Sequence, residues 1–361
     1  MRNGLIVGCN GQLGTELVTQ LTSGQSELGA IPQIYSNIVL TCLDIPQIDI
    51  TNLEKTIALV EQSRPDVIFN CAAYTNVDAC ETHEDDAYRV NALGARNLAI
   101  SAERVGAKIM HMSTDYVFSG DGTSPYREYD CPCPVSVYGK TKLAGEQFVQ
   151  SFSSRYFVVR TSWLYGYHGK NFVKAILNRA RAEGKVTVVN DQRGNPTNAA
   201  DLAYHMLKIA ATEEFGVYHC TGNGECSWFE FAEEILRLAD FGATALPCTS
   251  AEYPSPTKRP AYSSLEHMML RTTVGDEMRP WREALYFIAQ TNAELFAAAE
   301  QPLEVGQVGR RGDDQDVLDA RKHQRRERVV DHGFVIHRKQ LLAGDHGQRI
   351  QPGSRAARQN N

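Results

Sequence analysis

Leu5-Ile6-Val7-Gly8-Cys9-Asn10-Gly11-Gln12-Leu13-Gly14 decides the fold of this chain. The three apolar residues read as a short buried strand. Leu13, Leu17, Val18 and Leu21 then recur at helical spacing. Between strand and helix the glycines stand G-x-x-G-x-x-G, a variant of the dinucleotide-binding turn. Gly8 permits the tight turn, Gly11 lets the backbone approach a pyrophosphate, and Gly14 lets helix and strand pack closely. Asn10, Gly11, Gln12 and Leu13 fall where the free N–H groups and dipole of a helix N-terminus favour an anion. The competing reading is an ordinary glycine-rich turn.

The second strand pattern, Ile38 to Leu43, ends at Asp44. A carboxylate there accepts hydrogen bonds from an adenosine ribose and disfavours a 2′-phosphate. The offset exceeds the usual ~20 residues, because Ser23 to Asn37 reads as an inserted loop. Asp49 is a second ribose candidate, and Asp49 or Thr51 equally suits a helix N-cap. NADPH and NADH both remain open as cofactors.

Further strands are expected at Asp66–Asn70, Lys108–Met112 and Phe157–Arg160, with a long helical stretch from Asp85 to Val105 that carries Asn91. Cys71, Ala72 and Ala73 follow the third strand; they either leave room for a cofactor or pack tightly. Alternating strands and helices predict an α/β fold, a Rossmann-type doubly wound parallel sheet. Residues 1–166 would form most of the NAD(P)-binding domain. Residues 167–292 would form a smaller mixed α/β substrate-binding domain with some strand exchange. There Ser227 suits the N-cap of the amphipathic helix Phe229–Leu238.

The chemistry points to Thr114, Tyr138 and Lys142. Tyr138 and Lys142 stand four apart, on one face of a helix beginning near Ser136. A phenol titrates near pH ~10, and a cation beside it brings that value down toward the working range. Thr114, past the fourth strand, offers a hydroxyl to the same reacting oxygen. The trio suits proton delivery to a carbonyl that receives a hydride. The plain alternative pairs Lys142 with Glu146 on the helix surface.

Composition narrows the class. A 361-residue chain of net charge -6 lacks a nucleic-acid surface signature. It has neither a membrane-spanning run nor a signal-peptide pattern, and its nine cysteines fit a reduced cytoplasmic protein. From about Ala293 the sequence is charge-dense, with only Phe296 and Phe334 as aromatics. Residues 293–361 are expected to be a disordered or non-native tail.

Several stretches together resemble the extended short-chain dehydrogenase/reductase superfamily, and within it the dTDP-4-dehydrorhamnose reductases. They are the glycine loop, Asn70 to Asp78, Ser113 to Phe118, Tyr138 to Glu146, Arg160 to Tyr165, Asp191 to Thr197, and Arg259-Pro260 with Ser263 and Leu265. The resemblance implies reduction of the 4-keto group of dTDP-4-dehydro-L-rhamnose by NADPH or NADH. It makes Tyr138 the proton donor, Lys142 its tuner and a ligand of the nicotinamide ribose, and Thr114 a hydrogen bonder of the reacting oxygen. Asp115 and Trp163 fall to the sugar nucleotide, and Gly8 to Gly14 with Cys71 to Ala73 to the cofactor. Arg259, from its own chemistry, either binds a diphosphate through its forked geometry or is a solvated surface arginine. Some members hold Mg2+ through glutamates at a dimer interface, and Glu16 matches one such position. A homodimer and magnesium are thus allowed, with no metal ligand set assigned. Cys71 stands where the group usually has alanine. Two rivals share the pattern: a non-catalytic NADP-binding regulatory subunit resembling that of methionine adenosyltransferase, and a sugar-nucleotide epimerase or dehydratase.

Overall fold

The computed structural model describes residues 1–297. Strand β1 (Asn3–Val7) lies inside a six-stranded parallel sheet completed by β2 (Val39–Leu43), β3 (Val67–Asn70), β4 (Lys108–Thr114), β5 (Tyr156–Thr161) and β6 (Gly216–His219). In space the strands run β2-β1-β3-β4-β5-β6. The chain leaves β1 toward one edge and returns on its other side at β3. A crevice therefore opens at the carboxyl ends of β1 and β3, the place where such sheets bind ligands.

The sheet is covered on both faces. Ile6 joins α1 (Gln12–Ser23) and α6 (Ala199–Ala210) through Leu13, Leu17, Leu202 and Met206. Leu5 and Val7 point the other way, into a core with α2 (Leu53–Ser63), α3 (Ala95–Val105) and α4 (Val137–Phe152). This alternation along β1 is the two-residue period of a strand buried on both faces. Fully burying a side chain such as Leu17 contributes about 1.5–3 kcal/mol. A separate core gathers Tyr165, α5 (Phe172–Glu183), Val186, α7 (Trp228–Ala239) and α8 (Trp281–Thr291). Ser227 begins α7 with a capping box to Glu230, as its sequence suggested.

Three expectations need correction. Residues 23–37 are not a plain loop. Gln25–Ser26 pairs with Gly29–Ala30, and a 3-10 turn at Gln33–Tyr35 buries Tyr35, whose hydroxyl donates to Leu207 O at 2.8 Å. Helix α2 is capped by Asn52, which accepts from Lys55 N at 3.0 Å. Asp49 instead accepts from the backbone and hydroxyl of Thr51, closing its own turn. The ordered chain also outlasts residue 293. Ala293–Phe296 form a helical turn, Phe296 enters the separate core, and the Arg181 guanidinium donates to Ala297 O at 2.9 Å. The rest of the expected tail lies outside the described residues.

Candidate active site

The glycine loop sits at the mouth of the crevice. Gly8 has φ +80°, a conformation that favours glycine. A Cβ on Gly14 would lie 2.2 Å from Gly8 O. Gly14→Ala should therefore cost about 1–3 kcal/mol through overpacking and weaken nicotinamide-cofactor binding. Thermal denaturation with a fluorescence titration checks both, and an unchanged protein would show that the loop tolerates the methyl. Gly11 caps α1 without a side-chain hydrogen bond. The first amides of α1 thus face the crevice with no capping side chain, and they fit a pyrophosphate. The Gln12 side chain accepts from Asn171 Nδ2 at 2.9 Å.

Asp44 reaches the same loop, accepting from Asn10 N at 3.0 Å. Asp49 is exposed and engaged with Thr51. Cys71 donates its N–H to Val7 O at 2.9 Å, and a Cβ on Gly8 would touch Ala72 N at 2.8 Å. The segment Cys71 to Ala73 thus forms the wall opposite the glycine loop. Burial pushes the Cys71 thiol up to about 12, only partly opposed by the nearby Lys142 charge.

Thr114 ends β4, and the chain turns at once through Asp115–Val117. The Thr114 hydroxyl donates to Asp115 Oδ1 at 2.9 Å and accepts from Tyr116 N at 3.2 Å. Helix α4 starts at the Ser136 cap, which accepts from Gly139 N at 3.1 Å. A Cβ on Gly139 would lie 2.2 Å from Tyr116 O, so only glycine lets α4 approach this turn so closely. That approach sets Tyr138, at the start of α4, beside the turn that follows Thr114. The Tyr116 and Tyr138 rings meet edge to face with centroids 5.5 Å apart.

Lys142 follows one turn later and is buried, donating from Nζ to Met112 O at 2.5 Å. Burial lowers its pKa to about 8, against the opposing influence of Glu146. The Tyr138 phenol is pushed up rather than down, first by burial and then by the Asp115 charge. The ammonium points at a β4 carbonyl, so in this state the phenol keeps its proton tightly.

Glu146 is not a surface partner of Lys142. It is wholly buried and forms a two-pronged pair with Arg160, Nε to Oε1 at 2.9 Å and Nη2 to Oε2 at 2.8 Å. Ser113 donates to the same Oε1 at 2.5 Å, and Arg160 lies over the Phe118 ring at 5.2 Å. Asn91 also acquires a place. It sits in a π-helical turn, Arg89–Gly94, and bridges Tyr74 N at 2.8 Å, Tyr74 O at 3.1 Å and Thr141 Oγ1 at 3.1 Å. Such turns often occur at functional sites. The sequence signal for it was one asparagine within an otherwise apolar and charged helical pattern.

Asp115 adjoins Thr114, and Trp163 lies just past β5. Trp163 has φ +48° and stacks on Trp228 with ring centroids 3.6 Å apart. Arg259 is held by Asp78 at 3.0 Å, with Tyr116 Oη 3.5 Å away. A diphosphate would have to draw it from that carboxylate.

Glu16 is buried and faces His168 Nε2 at 3.6 Å. Burial, with the Glu27 and Asp201 charges, pushes it up to about 7. Among the described residues no group of three acidic, histidine or cysteine side chains is placed to hold a metal ion, so Glu16 gives magnesium no further support. The raised value favours the protonated form in the folded state. Its stabilisation is full below about pH 4.5 and is lost as pH rises through about 7. Glu16→Gln should therefore raise Tm above pH ~7 and leave it unchanged below pH ~4.5. An equal shift at both ends would refute this.

Residues 2–293 match the RmlD substrate binding domain model. The chain belongs to the RmlD family. Bacillus subtilis (strain 168) has a relative named spore coat polysaccharide biosynthesis protein SpsK. It is 39% identical over 281 residues, covering 78% of this chain and 94% of that protein. The crystal structure of a Clostridium acetobutylicum dTDP-4-dehydrorhamnose reductase is 43% identical with TM-score 0.76, covering 81% of this chain and 99% of that one. That of the Bacillus anthracis dTDP-4-dehydrorhamnose reductase in complex with NADP is 40% identical with TM-score 0.76, covering 81% and 100%. This RmlD-family reductase thus shares its whole described fold with nucleotide-sugar enzymes. Among its described residues, no helix is long and apolar enough to cross a membrane.

Proposed function

We propose that this RmlD-family reductase converts the 4-keto group of dTDP-4-dehydro-L-rhamnose to the alcohol of dTDP-L-rhamnose, with NADPH or NADH as hydride source. The observation that carries the reading is the close approach at Gly139, which brings the Tyr138 end of α4 against the turn that follows Thr114 at the crevice. Relatives named dTDP-4-dehydrorhamnose reductase support the substrate. The bound cofactor supplies the hydride. Everything else falls to the chain's own side chains.

The uncapped start of α1 would take the pyrophosphate, while Asp44 and the wall at Cys71 to Ala73 line the adenosine and nicotinamide sides. The Lys142 ammonium would turn from Met112 O to the nicotinamide ribose, and its charge would then ease the phenol's proton loss. Thr114 and Tyr138 would hold the keto oxygen, with Tyr138 giving it a proton. Asp115 and Trp163 would meet the sugar, and Arg259 the diphosphate once released from Asp78. The complete trio disfavours a non-catalytic binding subunit, and Tyr116 stands where a dehydratase would place its second acid.

The test follows NADPH and NADH oxidation with dTDP-4-dehydro-L-rhamnose beside a UDP-linked 4-keto sugar. Turnover selective for the dTDP substrate is expected. Cofactor binding without turnover of either sugar would remove the assignment, and preference for the UDP sugar would move it to another nucleotide.

A further inference from the structure

Past Trp163 the chain leaves the first sheet for the separate core, and on the way it lies against the start of α1. A Cβ on Gly169 would stand 3.6 Å from Gln12 Cβ, in ordinary contact, and His168 faces Glu16 one turn further along the helix. The strap of residues 166–171 is held from its far end by Lys174, whose Nζ donates to Tyr167 O at 2.6 Å and to Gly169 O at 3.0 Å.

Asn171 joins these pieces. It is buried, and its Oδ1 accepts from Lys174 N at 3.1 Å to cap α5. Its Nδ2 donates to Gly166 O at 2.8 Å and to Gln12 Oε1 at 2.9 Å. Only the oxygen can accept from Lys174 N, so the amide's orientation is fixed. The cap needs no more than that oxygen, which serine or aspartate would supply as well. What asparagine adds is the pair of N–H groups, and they run to the strap and across to the glycine loop.

Gln12 is the first residue of α1, whose free amides fit the pyrophosphate. A cofactor held there fixes Gln12 and, through Asn171, the strap and the first turn of α5. Phe172, which opens that turn, meets the Trp228 ring with centroids 4.5 Å apart, and Trp228 carries the stacked Trp163. The contacts thus run unbroken from the pyrophosphate turn to the side chain assigned to the sugar.

We propose that Asn171 is a positioning residue that ties the pyrophosphate turn to the sugar-binding side, so that cofactor and sugar nucleotide bind cooperatively. This deepens the reductase reading and rests on it. By linkage each ligand must raise the other's affinity by the same factor.

The test uses calorimetry with NADPH and dTDP-L-rhamnose, a pair that cannot react because both are already reduced. Wild-type protein saturated with NADPH should bind dTDP-L-rhamnose about 5-fold more tightly than the free protein, and the reverse titration should return the same factor. Asn171→Ser keeps the cap oxygen and loses both N–H groups, so its factor should fall to about 1. Gln12→Ala, which leaves the backbone amides in place, should do the same, and the double variant should lose nothing further. Thermal denaturation reports any purely structural loss. A lowered Tm with the coupling intact in Asn171→Ser and Gln12→Ala, or a wild type that binds both ligands independently, overturns the tie and leaves the reductase reading standing. A wild type that binds NADPH but not dTDP-L-rhamnose overturns both.

Discussion

Tyr138→Phe should lower kcat by about 10²–10⁴-fold, the range lost when a positioned acid is removed. The ring keeps its place, because the edge contact with Tyr116 and the packing beside Val137 need no hydroxyl. Cofactor affinity should therefore stay near wild type, and KM for the sugar should change little beside kcat. Lys142→Met should give a different signature, losing cofactor affinity along with turnover, since its ammonium is assigned to the ribose. Steady-state kinetics with a separate NADPH titration distinguish the two. A Tyr138→Phe protein with unaltered kcat would take the phenol out of the mechanism.

The second large effect concerns stability. Glu146 and Arg160 are both buried and joined by two short hydrogen bonds. Removing one partner strands the other's charge away from water. Arg160→Leu should cost about 3–5 kcal/mol in denaturant unfolding. The double variant, Glu146→Leu with Arg160→Leu, leaves no orphan charge and should cost less than either single change. Additive losses would mean that the pair is not coupled as its geometry requires. Because Ser113 also donates to Glu146, and Glu146 acts on the Lys142 charge, the single variants should disturb the floor of the crevice.

What could be read from the sequence was local. The glycine spacing, the Tyr138–Lys142 offset and the position of Thr114 past a strand each lie within a few residues, and the backbone converts such offsets directly into geometry. The helix start near Ser136 and the Ser227 cap were legible for the same reason. Long-range pairings were not. Glu146 lies four residues from Lys142, which invited a surface pair, whereas its partner Arg160 comes from the next strand. Arg259 read as a diphosphate ligand or a solvated surface arginine because Asp78, which holds it, lies far upstream in the chain. Charge direction was also hidden. The rule that a nearby ammonium lowers a phenol's pKa is sound, but here Lys142 points to a carbonyl and burial wins. Asp49 and Thr51 lost the cap to Asn52 through a turn that adjacent polar residues could have closed in several ways.

The route of the chain between its two cores also governs synthesis. Residues 199–210 and 216–219 return to the first sheet after the chain has entered the separate core. Lys108, at the base of β4, reaches forward to Ala210 O at 3.1 Å and to Glu213 at 2.7 Å. A nascent chain that has left the ribosome only as far as β5 therefore presents an unpaired strand edge and a sheet face that α1 alone covers in part. Chains fold progressively as they emerge, and such surfaces are prone to misassembly. The nucleotide-binding half must wait for sequence made roughly fifty residues later, so a stalled ribosome would release an adhesive intermediate rather than a finished half.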